Sequence, residues 1–86
     1  MNAKSEKLKN ACKAALLALK KLSSSEYDDI RSKLEFVIGS YEFDKNPVGL
    51  YEIGEKALKV LNEAKKKNPQ KISKKVITDL ETSLKP

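Results

Sequence analysis

Apolar residues return every three or four positions along this chain, and that spacing decides what the chain can fold into. In residues 3–22 the spacings are four, three, four and three, at Leu8, Cys12, Ala15, Leu19 and Leu22. Such spacing places the side chains on one face of an α-helix, whereas a half-buried strand alternates apolar and polar residues. Three later segments repeat the helical spacing and none shows strand alternation, so the sequence predicts an all-α protein.

Local signals set the bounds of the second helix. Ser23 and Glu26 have the spacing of a capping box, which predicts a helix over residues 24–42 with Ser23 as its N-cap. Gly39 weakens the last turn, so we expect this helix to end early. Phe43 then falls in a loop, from which its side chain is expected to fold back onto the core.

The third helix is predicted to be the most buried. Asn46 and Pro47 suit its start, because asparagine caps a helix and proline needs no donor at the first position. Its apolar face is wide and comprises Leu50, Ile53, Ala57, Val60, Leu61 and Ala64. Gly54 lies on this face and predicts a close contact between helices. Pro69 stops this helix, and a fourth begins either at Pro69 or after Ser73.

Short connections make successive helices antiparallel neighbours. The sequence therefore predicts a small bundle of three long helices plus a shorter C-terminal fourth helix, with up-down connectivity. At 86 residues the chain has the size of a single helical domain spanning residues 1–86.

The net charge of +6 is unevenly distributed. Residues 1–22 carry six lysines against one glutamate, residues 23–46 carry three basic against six acidic residues, and residues 47–86 carry nine lysines against five acidic residues. Two interpretations fit this distribution. The acidic middle segment lies beside the basic helices of its own chain and neutralises them, or the basic ends bind a partner with a negatively charged surface.

The residues that catalytic and metal sites most often need are missing or solitary. The chain has no histidine and one cysteine, which excludes both a four-ligand zinc site of those residues and an internal disulfide. Cys12 lies on an apolar helix face and is interpreted as a buried structural thiol. Two pairs of carboxylates are close enough in sequence to be considered for acid–base catalysis. Asp28 and Asp29 are instead interpreted as first-turn residues that interact with the helix dipole, and Glu52 and Glu55 as residues on a solvated helix face. The sequence thus predicts a protein that is not an enzyme and has no cofactor, metal ion or small-molecule substrate.

Six lysines lie within eleven residues around the junction of the third and fourth helices. This lysine cluster consists of Lys65, Lys66, Lys67, Lys71, Lys74 and Lys75. Such a patch binds phosphate backbones by releasing counterions, although a lysine-rich helix end also serves solubility alone. The chain has one arginine and no aromatic residue in the cluster, which argues against base readout or stacking.

Three large apolar residues fall off the core-facing positions of their helices. Leu17 points away from the apolar face of the first helix, and Phe36 and Phe43, seven residues apart, lie off the face of the second. Off-face apolar residues mark a partner surface or an oligomer contact, unless a second neighbouring helix buries them. The first helix is also basic and amphipathic, as in helices that lie on membranes, but it lacks aromatic anchors.

Two functions stay open at this point. The first is a cytoplasmic helical module that binds a protein partner or a second copy of itself through Leu17, Phe36 and Phe43. The second is a nucleic-acid-binding protein that uses the lysine cluster. A single cysteine and the lack of a long apolar run are the basis for the cytoplasmic location.

Overall fold

Helices account for most of the residues described, 3–22 and 24–85, in the computed structural model of the chain. The four α-helices have 18, 17, 20 and 11 residues and are α1 (Ala3–Lys20), α2 (Asp28–Asp44), α3 (Val48–Lys67) and α4 (Lys74–Leu84). A 3-10 turn, Ser25–Tyr27, precedes α2. The prediction of an all-α bundle of three long helices and a shorter fourth is confirmed.

The start of α2 differs in detail from the predicted capping box. Ser23, the expected N-cap, lies outside the described residues. Ser24 caps the 3-10 turn instead, because its hydroxyl oxygen accepts the Glu26 backbone N–H at 3.3 Å. The chain therefore enters α2 through one tighter turn before the α-helix begins at Asp28.

Helix α2 continues to Asp44, so the expectation that Gly39 ends it early is wrong. A glycine inside a helix costs only about 1 kcal/mol relative to alanine, and burial of Ile38 and Tyr41 in the same turns outweighs that cost. Phe43 consequently stays on the helix, 91% exposed, and does not fold back onto the core as expected.

Polar side chains ahead of α3 and α4 accept backbone N–H groups of the first turns. The Asn46 side-chain oxygen accepts the Val48 N–H at 3.1 Å, but Pro47 is the N-cap of α3 and not, as was expected from the sequence, its first helical residue. The Ser73 hydroxyl oxygen accepts the Lys75 N–H at 3.1 Å, which places the start of α4 after Ser73 and not at Pro69.

Successive helices are antiparallel, as the short connections predict. Along the α1–α2 contact, Lys20 pairs with Glu35 at 3.3 Å while Lys13 pairs with Glu42 at 3.6 Å, so the residue numbers run in opposite directions. Helices α1 and α3 pack against each other and against both remaining helices, whereas α2 and α4 pack mainly against α1 and α3. The domain measures 37 × 22 × 15 Å.

The core lies between α1 and α3 and receives side chains from every helix. The largest side chains that are fully buried are Leu8, Cys12, Leu19, Leu34, Leu50, Leu61, Ile72 and Leu80. Gly54 makes the close contact that the sequence predicts: a Cβ at this position would lie 3.1 Å from Leu84 Cδ2 and 3.6 Å from Cys12 Sγ. The absence of a side chain there lets α3 approach both α1 and α4.

One arginine fastens the junction between α1 and α2. The Arg31 guanidinium donates to the carbonyl oxygens of Leu19 at 2.9 Å, Leu22 at 2.7 Å and Ser24 at 3.0 Å, and it also pairs with Asp28. The last carbonyls of a helix have no partner within it, and a planar fork of donors can satisfy several together. Arg31, a residue of α2, therefore has a structural role, which is to cap the C-terminal end of α1.

Candidate functional site

Large apolar side chains are exposed at four positions among the described residues. Their exposed fractions are 62% for Leu17, 73% for Phe36, 91% for Phe43 and 63% for Val48. The first three are the residues predicted from the sequence to bind a partner, and that role stays a prediction. Val48 was missed, although its position outside the wide apolar face of α3 is visible in the sequence.

Phe36 borders an open groove between α2 and α3. The groove has a volume of about 440 Å³ and includes the buried residues Val37 and Ile53 in its lining, together with Gly49. A Cβ on Gly49 would lie 3.1 Å from Val37 Cγ1, so the glycine allows the two helices to approach closely along the groove. We call this the Phe36 groove.

The polar rim of the Phe36 groove carries charge on both walls. Ser32 and Lys33 contribute from α2, and Glu52 and Lys56 contribute from α3. Lys33 is partly engaged by Asp29, whose carboxylate lies 3.0 Å from its ammonium group. The arrangement combines apolar residues with a charged border, as at many protein-binding surfaces.

The four exposed apolar residues do not form one patch. Phe43 follows Phe36 by seven residues, or about two helical turns, and so continues the same side of α2. Val48 directly precedes Gly49 at the start of α3. Leu17 belongs to α1 and does not line the Phe36 groove. The structure thus associates Phe36 with the α2–α3 surface and leaves Leu17 on a different helix.

A second open groove, between α1 and α4, has a different character. It has a volume of about 390 Å³ and is lined by Lys7, Asn10, Ala11, Ala14, Asp79, Thr82 and Ser83. No large apolar side chain borders it. An apolar partner surface therefore has less to contact here than in the Phe36 groove.

The structure divides the lysine cluster into two groups. Lys65 donates to the carbonyl oxygens of Pro69 at 3.3 Å and Ile72 at 2.9 Å, and so closes the α3–α4 connection. Lys67 lies 3.6 Å from the Glu26 carboxylate. The other four are exposed, and no described residue forms a hydrogen bond or ion pair with their ammonium groups: Lys66, Lys71, Lys74 and Lys75.

A polar cluster between α1 and α2 was not foreseen from the sequence. The Tyr41 hydroxyl donates to Glu6 Oε2 at 2.6 Å, and Lys9 donates to Glu6 Oε1 at 3.2 Å. These two hydrogen bonds hold the pKa of Glu6 below its usual value, and the bond to Glu6 together with burial raises the pKa of Tyr41. All of these groups have partners, so the cluster serves to join α1 to α2.

Cys12 is buried with no exposed surface, and burial raises the pKa of its thiol to about 12. We expect it to resist 5,5′-dithiobis(2-nitrobenzoate) in the folded protein at pH 8, because only on the order of one thiol in ten thousand would be ionised. The same protein in 6 M guanidinium should react completely within minutes. Fast, stoichiometric labelling of the folded protein would contradict the buried position of this residue.

Residues 3–22 and 24–85 lack other features of known site types. No group of three or more cysteine or acidic residues there could hold a metal ion, and each fully buried side-chain nitrogen or oxygen atom has a hydrogen-bond partner. None of the helices in these ranges combines the length and apolar character that crossing a membrane requires. Comparison of the chain with known protein families, with curated proteins and with solved structures finds no match.

Proposed function

We propose that this protein is a non-catalytic binding module whose Phe36 groove receives the apolar face of a helix from a partner protein. The observation that carries the proposal is the 73% exposure of Phe36 beside a groove lined by Val37 and Ile53. An aromatic side chain next to an apolar depression is the kind of anchor that dominates protein–protein binding energy.

The shape of the groove favours a helix as its occupant. The groove follows the line of contact between two antiparallel helices, and residues 49–56 of α3 border it over about two turns. Amphipathic helices bind such grooves through apolar residues at positions i, i+3 or i+4, and i+7. A partner helix of three to four turns could place two such residues against Phe36 and Ile53.

Charge favours an acidic partner over a second copy of this chain. Lysines lie on both walls of the groove, against Glu52: Lys56 on α3, and Lys33 on α2, which also pairs with Asp29. Two copies of a chain with a net charge of +6 repel each other, and a face-to-face dimer would bring these lysines together. Acidic residues flanking the apolar face of a partner helix would instead pair with them.

The test begins with a library of acidic amphipathic helical peptides, from which binders are selected and measured by fluorescence anisotropy. We expect Phe36→Ser to weaken the selected peptide by about tenfold or more, because loss of an aromatic anchor costs about 2 kcal/mol. Leu17→Ser is the matched control, since it removes an apolar side chain of similar exposure from α1 and should leave the affinity unchanged.

Three results would contradict the proposal. The library could yield no binder, the two serine variants could lose affinity equally, or light scattering could show a dimer that Phe36→Ser dissociates. The last result would identify a second copy as the occupant. Circular dichroism of each variant establishes that the helices are intact before the affinities are compared.

A further inference from the structure

We infer that the end of the bundle formed by the α3–α4 junction binds the phosphate backbone of a nucleic acid through Lys66, Lys71, Lys74 and Lys75. This inference is separate from the proposed protein-binding function and uses a different surface. It rests on the concentration, within residues 66–75, of four exposed lysines that form no ion pair with a described residue.

Several lysines outside the cluster form ion pairs with acidic residues. Between α1 and α2, Lys13 lies 3.6 Å from Glu42 and Lys20 lies 3.3 Å from Glu35, while Lys9 pairs with Glu6 within α1. The acidic middle of the sequence therefore compensates part of the basic first helix within the molecule. That is the intramolecular outcome that the charge distribution of the sequence left open.

At the α3–α4 junction, Lys67 is the one cluster lysine that forms an ion pair with a described residue, Glu26. Asp28 and Asp29, in the first turn of α2, are already paired with Arg31 and Lys33. Glu63 is the only acidic residue between positions 63 and 78, a stretch that contains all six cluster lysines. Four ammonium groups are consequently exposed, and no carboxylate of residues 3–22 and 24–85 forms an ion pair with them.

The surroundings of these lysines favour a phosphate backbone over a lipid surface. Membrane-binding surfaces combine basic residues with apolar side chains that enter the bilayer. Of the four exposed large apolar residues, Phe43 and Val48 lie at the opposite end of α3, a helix of 20 residues and about 30 Å, and Leu17 and Phe36 belong to α1 and α2. Ile72, the apolar residue within the cluster, is fully buried.

The same composition indicates binding without sequence preference. Lysine acts as a point charge on phosphate, whereas base readout relies on groups such as the planar guanidinium of arginine. The one arginine of the chain is engaged at the α1–α2 junction. The cluster contains no aromatic side chain on which a base could stack. The expected ligand is therefore a nucleic acid of any sequence, recognised by its regularly spaced phosphates.

The experiment measures binding of the full chain to a fluorescein-labelled 20-base-pair DNA duplex by anisotropy. With four phosphate contacts, raising the salt from 50 to 200 mM should weaken binding by about 100-fold. Lys71→Glu with Lys74→Glu should lower affinity at 50 mM salt by about tenfold or more. Lys7→Glu with Lys59→Glu is the matched control, because it changes the net charge equally at two exposed lysines outside the cluster.

The inference is overturned if the protein does not bind DNA at 50 mM salt, or if the affinity does not depend on salt. It is also overturned if the two double variants lose affinity equally, because that would indicate an effect of net charge alone. A parallel titration uses phosphatidylcholine vesicles containing 30% phosphatidylserine. Vesicle binding that depends on Lys71 and Lys74, without DNA binding that does, would assign the surface to membranes instead. Phe36→Ser should leave DNA binding unchanged, so this test and that of the proposed function can fail independently.

Discussion

Replacing Leu61 with alanine is expected to lower the free energy of unfolding by about 2–5 kcal/mol. Leu61 is fully buried on α3, which like α1 packs against the three other helices, and truncation leaves a cavity that the surrounding helices fill only in part. A single domain has a total stability of about 5–15 kcal/mol, so the loss is a large share of it. Urea unfolding followed by circular dichroism at 222 nm measures the change.

The control for this prediction is the same substitution at an exposed leucine. Leu17 is 62% exposed, so Leu17→Ala should change the free energy of unfolding by no more than about 0.5 kcal/mol. Equal destabilisation by the two substitutions would show that the core does not lie between α1 and α3 as described.

The second large effect is expected at Arg31. Changing Arg31 to methionine keeps an apolar stem of similar length but removes the donors that reach the carbonyl oxygens of Leu19, Leu22 and Ser24. Hydrogen bonds to a charged group contribute about 1.5–3 kcal/mol, so we expect a loss in this range. Arg31→Lys should recover only part of it, because one ammonium group cannot span three carbonyls.

Lys33 provides the matched control for Arg31. It lies two residues later on the same helix and pairs with Asp29, but its side chain is 45% exposed. Exposed ion pairs contribute little, so Lys33→Met should change stability by less than about 1 kcal/mol. Comparable unfolding midpoints for Arg31→Met and Lys33→Met would mean that Arg31 is a surface residue without a capping role.

The fold was predictable because the spacing of apolar residues, which determines it, is a local property of the sequence. Residues such as Leu8, Leu34 and Leu61 fall on helical faces that can be identified from spacing alone, and each is buried as expected. Short connections then restrict the order of packing to antiparallel neighbours, which fixes the architecture. Gly54 shows that even one close contact between helices was indicated by a small residue on an apolar face.

The sequence-based predictions were wrong where contacts between residues distant in sequence determine the structure. Gly39 suggested an early helix end, but Tyr41, buried and bonded to Glu6 on α1, holds the last turn in place. A hydrogen bond between residues 35 positions apart leaves no local signal in a single sequence. The role of Arg31 was missed for the same reason, since its carbonyl partners lie on the preceding helix and loop.

The candidate surfaces were predicted in part. Phe36 was identified because it departs from the helical face, but the groove beside it depends on how Val37 and Gly49 meet across two helices. The lysine cluster was evident from composition, yet only the structure separates Lys65, which holds a loop, from Lys71 and its exposed neighbours. Sequence thus identifies candidate residues, and packing decides which of them are available to a ligand.

The most direct test of the proposed binding surface is a map of backbone amide chemical shifts as the selected acidic peptide is added to the ¹⁵N-labelled protein. A partner helix seated in the Phe36 groove should shift the amides of residues 32–37 and 49–56 and leave those of the α1–α4 groove, residues 7–14 and 79–83, unchanged. Shifts confined to residues 7–14 and 79–83, with residues 32–37 unaffected, would contradict the assignment of this groove as the protein-binding surface.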